Sequence, residues 1–149
     1  MIGLKTGHKG THVREISAPQ YLNALARHLE ESKVITAPDW ADLLKTSCIN
    51  EMPPSDPKWW YMRSAAIARQ VYLHPGTSVS ELRNHFGAGQ RNGTAPNHFR
   101  QAAKKIIRFS LQQLEKAGLM KIVDGKGRVL TAKGQKVLDS IAASAAKTL

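Results

Sequence analysis

Cysteine is nearly absent from this sequence. The 149 residues include a single cysteine, Cys48, which excludes both a disulfide within the chain and a zinc site of the CxxC type. A chain of this length buries roughly 68–70% of its unfolded surface on folding, so it needs neither device for stability. One cysteine is typical of a protein from a reducing compartment.

Long apolar runs are missing too. No stretch approaches the roughly 18 apolar residues of a membrane-spanning helix, and Met1–Gly10 lacks the apolar segment of a secretory signal. We therefore expect a soluble intracellular protein that has no membrane partner. Residues 1–12, rich in glycine, lysine, histidine and threonine, are predicted to be a flexible basic tail, and residues 13–149 a single domain.

Motifs for catalysis and metal binding are also missing. None of the six histidines belongs to an HExxH pair, and the sequence has no serine elbow, no phosphate-binding loop and no acid cluster for metal ions. We expect a protein that is not an enzyme and that has no cofactor and no metal site.

Acidic residues are scarce in the middle of the chain. The sequence has 22 Lys+Arg against 11 Asp+Glu, a formal charge of +11, and between Asp56 and Glu115 the only carboxylate is Glu81. The cations of that stretch are Lys58, Arg63, Arg69, Arg83, Arg91, Arg100, Lys104, Lys105 and Arg108. This concentration of one sign favours a polyanionic partner, and nucleic acid fits it best.

Apolar periodicity predicts helices over most of the chain. Prolines at helix starts, serine and threonine caps, and glycine or proline stops set their limits. The predicted helices are Pro19–Glu31, a short one at Pro38–Leu44, Pro57–His74, Glu81–Phe86 with a cap at Ser78 or Ser80, and a last helix that Thr131 caps and that frays from Ala143.

The longest helix is predicted from a cap at Asn97 to Lys116. At about 100° per residue, one side is apolar and the opposite side carries cations and amides. The apolar side holds Phe99, Ala103, Ile106, Ile107, Ser110 and Leu114, and the opposite side holds Gln101, Lys104, Lys105, Arg108 and Gln112. This arrangement suits a helix that lies against phosphates. The alternative is an ordinary solvated face, which usually carries charges of both signs.

Residues Gly87–Pro96 are predicted to form a flexible basic loop. Its glycines would let Arg91 and Asn92 follow a phosphate backbone closely, although a mobile surface loop without such a role is equally common.

After Gly118 the period changes: Lys121–Val123 and Arg128–Leu130 flank an Asp-Gly turn and predict a hairpin. Helix, basic helix, hairpin and final helix together predict a mainly α fold around a winged-helix core.

Two groups of residues on the Pro57–His74 helix have alternative interpretations. Arg63 and Arg69 either contact RNA or extend over the edge of the core. The rings of Trp59–Tyr61 either stack on bases or pack in the core, and the core is favoured for Trp60 and Tyr61. The predicted RNA-binding residues are Lys58, Arg63, Arg69, Arg91, Asn92, Arg100, Gln101, Lys104, Lys105, Arg108, Lys126 and Arg128.

Several motifs lie at defined places along the chain. They are WWYMR at Trp59–Arg63, Ala68-Arg69 with Tyr72, the Gly87–Gly93 segment with Pro96–Phe99, the Leu111–Asp139 run, and a weaker match at Pro38–Trp40. Together they resemble the nineteen-e family of eukaryotic and archaeal small-subunit ribosomal proteins over roughly Val13–Ala143. The sequence departs from the family pattern in a longer tail, in Asn97 where serine is usual and in Ala88 where glycine is common.

The resemblance implies a fold and a role. It implies a helical domain around a winged-helix core, in the head of the small subunit, that contacts ribosomal RNA and neighbouring head proteins and is needed to mature the precursor RNA. The family's basic helix would correspond to Asn97–Lys116 and its characteristic arginines to Arg63 and Arg69. The implied location is cytoplasmic, on ribosomes, and nucleolar during assembly if the source is eukaryotic.

The alternative interpretation is a winged-helix transcription regulator that binds DNA. Such regulators usually dimerise to bind paired half-sites, and this sequence has no unassigned apolar helix for a dimer. A nucleic-acid enzyme is a third interpretation, which the lack of an acid cluster disfavours.

We predict that the free protein is a monomer without preference for a palindromic DNA duplex. Equilibrium sedimentation at micromolar concentration measures the first property and competition between DNA sequences the second. A stable two-fold dimer that selects one DNA sequence would instead favour the transcription regulator.

Overall fold

The structure is a computed structural model that describes residues 12–148. Its helices are α1 (Ala18–Glu31), α2 (Trp59–Leu73), α3 (Val79–His85), α4 (Lys104–Lys116) and α5 (Ala132–Lys147), with short 3-10 helices at Val13–Glu15 and Asp39–Leu43. Its strands are β1 (Ala88–Asn92), β2 (Ala95–Arg100), β3 (Met120–Val123) and β4 (Gly127–Leu130). The prediction of a mainly α, winged-helix-like fold is confirmed by this order of elements.

The core lies between α1, α2, α4 and α5. Each of these helices buries apolar side chains toward the others, and Trp60 of α2 is completely buried among them. Tyr21 of α1 donates a hydrogen bond from its hydroxyl to the carbonyl of Leu138 in α5, at 3.2 Å. Burial, followed by the nearby Asp139 carboxylate, raises the pKa of Tyr21 well above its ordinary value. The phenol therefore stays protonated, as its role as a donor requires.

Local capping explains where the short helices begin. The Ser78 hydroxyl accepts from the backbone N–H of Glu81, and the Glu81 carboxylate accepts from the backbone N–H of Ser78, so both members of a capping box are present. Thr131 caps α5 by accepting from the backbone N–H of Gly134 at 3.1 Å. Both caps were predicted from sequence, and Ser78 rather than Ser80 is the one used.

The predicted hairpin is the wing of the fold. Strands β3 and β4 pair antiparallel, from Met120 opposite Leu130 to Val123 opposite Gly127. The wing is attached to the turn after α2, because the backbone N–H of Arg128 donates to Thr77 and that of Gly76 donates to Arg128. A side chain at Gly127 would meet the Thr77 carbonyl at 2.7 Å, so glycine permits this close approach.

The segment before α4 differs from its prediction. Residues expected to be a flexible loop form the β1–β2 hairpin, with Gly93 and Thr94 as its turn and Gly93 at φ +67°. The helix begins at Lys104 rather than after Asn97, which lies in β2, and Gln101 precedes the helix. Phe99 is therefore 58% exposed on β2 and is not a core residue. With 13 residues, α4 is also shorter than α5, which has 16.

Two long-range hydrogen bonds explain the late start of α4. The backbone N–H of Ala102 donates to Arg83 and that of Ala103 donates to Thr46, both at 3.1 Å. These bonds take backbone groups that a helix starting at Asn97 would have used internally. Helix α4 begins after them, without a side-chain cap at Ala103.

The ends of the chain allow two further comparisons. Helix α5 continues to Lys147, so the predicted loss of helix from Ala143 is wrong. The tail predicted for residues 1–12 lies outside the described residues except for His12.

We expect the substitution Gly134→Ala to destabilise the protein by about 2 kcal/mol, the usual scale of overpacking. In an ordinary helix interior alanine is favoured over glycine by about 1 kcal/mol, but here the added Cβ would collide with the backbone carbonyl of Leu119. Denaturant unfolding measures the difference. Gly89→Ala is the control, because its Cβ would meet only the Cβ of Asn97, at 3.8 Å, and should change stability little. A stabilising Gly134→Ala would contradict the packing of α5 on Leu119.

Candidate nucleic-acid interface

Helix α4 has one buried side and one cationic side. Ile106, Ile107, Ser110 and Leu114 are buried, whereas Lys104, Lys105, Arg108 and Gln112 are exposed. Within the helix the predicted division of sides therefore holds. The structure removes Phe99 and Ala103 from its apolar side and Gln101 from its polar side, because all three precede Lys104.

Lys105 is held in place by an aromatic residue outside α4. Its ammonium nitrogen lies 4.7 Å from the centre of the Trp40 ring, where the negative face of an indole attracts a cation. Trp40 contacts Phe109 and Trp60 edge to face, with ring centroids 5.3 and 5.6 Å apart. The 3-10 helix at Asp39–Leu43 thus positions a cation of the candidate interface, a role that the sequence analysis did not predict.

The β1–β2 hairpin carries two further arginines. Every residue from 91 to 100 is exposed. The Arg100 Nε donates to the side-chain oxygen of Gln90 across the hairpin, at 3.0 Å. Arg91 and Asn92 lie next to the turn. The predicted RNA-binding residues of this segment are therefore presented on paired strands rather than on a mobile loop.

The base of the hairpin is fastened to α3. The Arg83 Nε donates to the carbonyl of Ala102 at 3.0 Å, and the Gln101 side-chain amide donates to the side-chain oxygen of Asn84 at 2.7 Å. A Cβ at Gly87 would lie 2.5 Å from the Arg100 carbonyl oxygen, so only glycine fits there. Gln101 and Arg83 consequently position the hairpin relative to the helices. Gln101 itself lies between β2 and α4, where the hairpin joins the helical core.

Arg63 and Arg69 lie on α2 and are only partly exposed. The Arg63 guanidinium stacks 4.4 Å above the centre of the Phe86 ring, and burial lowers the pKa of Arg63. The Arg69 Nε is buried and makes no hydrogen bond to the described residues. Partial burial, then the charges of His74, Arg69 and Arg63, lower the pKa of His85. The two guanidiniums of Arg63 and Arg69 form a second concentration of positive charge, and a lowered pKa favours the neutral form of His85 beside them. The stem of Arg63 packs as a core-edge side chain does.

The other predicted residues lie in different surroundings. Lys58 forms a salt bridge of 3.0 Å with Glu30 and lines a groove with Glu31 and Asp56. Lys126 is exposed in the turn of the wing, and Arg128 is partly buried on β4 with its Nε unsatisfied. The twelve predicted residues are thus distributed over α2 and its N-cap, the hairpin and its junction with α4, α4 itself and the wing.

The cations of the hairpin and α4 have no acidic partners. Within residues 12–148 the only salt bridge joins Lys58 to Glu30. Glu81, the sole carboxylate between Asp56 and Glu115, is engaged in the capping box of α3. We call Arg91, Arg100, Lys104, Lys105 and Arg108 the basic surface. Its positive charge is not neutralised by the part of the chain that the structure describes.

Residues 12–148 contain neither a metal-binding cluster nor a membrane-spanning helix. These residues contain no group of three or more histidine, cysteine, aspartate or glutamate side chains placed to hold a metal ion. They also include no helix with the length and apolar character needed to cross a membrane.

The sequence did contain a signal for the hairpin that periodicity missed. Asn-Gly at 92–93 is a strong predictor of a hairpin turn, and the turn in the structure, Gly93-Thr94, lies one residue further on. The flanking residues lack the apolar alternation expected of strands. No comparable local signal pointed to Trp40 or Arg83, whose roles depend on contacts with residues far away in sequence.

Comparison with known proteins agrees with this structure. The sequence profile of the family described as "Ribosomal protein S19e" matches residues 12–148. The chain is 38% identical over 130 residues to small ribosomal subunit protein eS19 of Oryza sativa subsp. japonica, covering 87% of this chain and 89% of that protein. It is 38% identical over 135 residues to small ribosomal subunit protein eS19B of Schizosaccharomyces pombe, covering 91% of this chain and 94% of that protein. It is also 38% identical over 135 residues to eS19G of Ascaris suum, covering 90% of this chain and 91% of that protein. The match of a fold-spanning profile and of relatives along almost their whole length shows that the chain belongs to the S19e family of ribosomal proteins.

Proposed function

We propose that this chain is a structural constituent of the small ribosomal subunit and that it binds ribosomal RNA through the basic surface. The relatives named above are small ribosomal subunit proteins, which supports the assignment to that subunit. The observation that carries the RNA contact is that, within residues 12–148, no cation of the basic surface has an acidic partner. No catalytic step is part of this proposal.

The basic surface suits phosphates because of its rigidity as well as its charge. Lys104 and Arg108 are one helical turn apart on α4, so their side chains lie on the same face. Lys105 is held against Trp40 and Arg100 against Gln90, which lowers the conformational entropy that binding must remove. Cations fixed in this way neutralise phosphates and release the condensed counterions.

A folded RNA surface fits this shape better than a DNA groove. Helix-turn-helix proteins contact base edges with the N-terminal residues of the recognition helix. Here that end of α4 adjoins the base of the β1–β2 hairpin, which is inserted between α3 and α4. The hairpin would obstruct insertion of the helix end into a duplex groove, and this disfavours the transcription-regulator alternative.

The finer parts of the proposal concern location and assembly. We place the protein in the head of the subunit, beside neighbouring head proteins, with residues 13–149 acting as one RNA-binding domain. Arg63, Arg69, Lys126 and Arg128 are proposed as further RNA contacts around the basic surface. Without the protein its RNA site would stay unfolded, and maturation of the precursor RNA would then fail. Assembly in the nucleolus is proposed for a eukaryotic source.

Replacing Lys104 and Arg108 together by glutamine should weaken binding to a stem-loop RNA and leave thermal stability nearly unchanged. Both side chains are exposed, and each lost phosphate contact should reduce the slope of log affinity against log salt by about one. For the unaltered protein, roughly six neutralised phosphates would lower the affinity about a thousandfold between about 50 and 200 mM salt. Filter binding across salt concentrations measures both slopes.

The matched control replaces Lys136 and Lys147 of α5 by glutamine. This variant loses the same net charge from exposed positions outside the basic surface, so its salt slope should stay that of the unaltered protein. An equal reduction of the salt slope in the two variants would mean that RNA binding depends on the net charge and not on where the cations lie. A large fall in melting temperature for the α4 variant would mean that this face is buried.

The protein should co-sediment with small subunits, monosomes and translating ribosomes in near-stoichiometric amount. Its depletion should shrink the pool of small subunits and leave unprocessed small-subunit RNA, because a missing structural protein leaves its RNA site unfolded. Gradient sedimentation and RNA blotting measure these effects. Substitution of Arg63 or Arg69 should reproduce the defect in folded protein if these arginines face RNA. Normal subunit ratios and normal RNA processing after depletion would refute the ribosomal assignment.

A further inference from the structure

Phe99 is an exposed aromatic side chain within a hairpin that has no buried residue. It is 58% exposed, and no residue from 88 to 100 is buried. A phenylalanine in this setting loses the benefit of burial, since full burial of such a side chain contributes roughly 1.5–3 kcal/mol. Single exposed apolar side chains are common on protein surfaces, so the exposure of Phe99 becomes informative only together with what surrounds the ring.

Two glycines leave the ring both placed and uncovered. Phe99 pairs with Gly89 on β1, so no cross-strand side chain covers it. The tip of the ring lies against Gly87, where a Cβ would approach the Phe99 Cζ to 2.8 Å. The ring is thus supported from one side by backbone and open to solvent on another.

The surroundings of Phe99 are cationic and polar. Side chains alternate along a strand, so Asn97 shares the face of Phe99, while His98 and Arg100 occupy the opposite face of the hairpin. No acidic residue occurs in the sequence between Glu81 and Glu115. The ring is therefore part of a positively charged hairpin whose Arg91 and Arg100 are available to phosphates.

The other large exposed apolar side chains have different neighbours. Leu43 is 83% exposed and follows Asp42, Met52 is 76% exposed and follows Glu51, and Ile122 is 54% exposed opposite Arg128 on the wing but is aliphatic. Phe99 alone among these four is aromatic, and it stands on a hairpin that carries two arginines and no acidic residue. This combination of a π face with cations is how proteins bind single-stranded nucleic acid.

We propose that Phe99 is a stacking platform for one unpaired base of RNA, with the Asn97 amide beside it and the hairpin arginines on the flanking phosphates. The inference rests on the proposed RNA binding and deepens it, because it names the kind of nucleotide that the hairpin binds. A paired base offers no free face for the ring. The hairpin therefore binds a loop, bulge or strand end, whereas α4 needs only phosphates.

The test compares three substitutions of Phe99 on two probes. The probes are a short single-stranded oligoadenylate with one base replaced by 2-aminopurine, and an RNA duplex without unpaired bases. Phe99→Ala should weaken binding of the oligoadenylate roughly tenfold and abolish the quenching of 2-aminopurine fluorescence. Phe99→Leu, which keeps the apolar bulk but lacks a π face, should lose most of the same affinity. Phe99→Trp should bind at least as well as the unaltered protein.

Duplex affinity and the control variant separate this inference from the proposed function. All three substitutions should leave duplex binding unchanged, which also shows that the variants are folded. Met52→Ala, at an exposed apolar residue between the Asp39–Leu43 helix and α2, should change neither affinity. Equal binding of the oligoadenylate by Phe99→Leu and the unaltered protein would overturn stacking. So would normal RNA binding by Phe99→Ala combined with poor incorporation into subunits, which would indicate a contact with a neighbouring protein.

Two results distinguish the failures. If Phe99 variants behave as the unaltered protein on both probes while the Lys104 and Arg108 variant loses duplex binding, only the stacking inference fails. If the unaltered protein binds neither RNA, the proposed function and this inference both fail.

Discussion

The burial of Trp60 is the interaction on which the candidate interface depends. The indole is completely enclosed, and its Nε1 donates to the side-chain oxygen of Gln113, at 3.1 Å, while the Gln113 amide donates to the backbone carbonyl of Thr36 at 2.7 Å. The side chain of Gln113 thus joins α2, α4 and the segment that leads to Trp40. Because Trp40 packs edge to face against Trp60 and holds Lys105, the position of an exposed cation is determined by a buried ring.

The concentration of positive charge destabilises the folded state of the free protein. Like charges without acidic partners repel one another, and a strong net charge opposes the compact state. The buried faces of α1, α2, α4 and α5 supply the stability against this repulsion. A polyanion would relieve it, so the same arrangement that makes the free protein less stable makes the bound state more favourable. Lys58, which already has Glu30 as a partner, gains less from such a complex than the unpaired cations do.

Helix periods, caps and the wing could be predicted from the sequence because their causes are local. Ser78, Thr131 and the Asp-Gly turn after Val123 act within a few residues of themselves. The buried side of α4 was also predictable, since Ile106, Ile107 and Leu114 recur at helical spacing. These elements suffice for the class of fold and for most of the basic surface.

The start of α4 could not be predicted because its causes are distant. Phe99 and Ala103 are four residues apart and continue the helical spacing of Ile106, so the sequence pattern by itself favours a longer helix. Backbone hydrogen bonds from Ala102 to Arg83 and from Ala103 to Thr46 overrule this pattern. The partners of Arg83 and Lys105 were hidden for the same reason, since sequence periodicity contains no information about which distant segment will lie alongside.

The separation of the hairpin from the core has a consequence for natural variation. Residues 88–100 contribute no buried side chain, so most substitutions there alter what the protein touches without altering whether it folds. Core residues such as Trp60 and Leu111 are constrained by packing and tolerate little change. Harmful variants of this chain therefore divide into two kinds. Core variants are expected to lower the amount of the protein, whereas hairpin variants should leave normal amounts of a folded protein and impair only the RNA binding proposed for this hairpin.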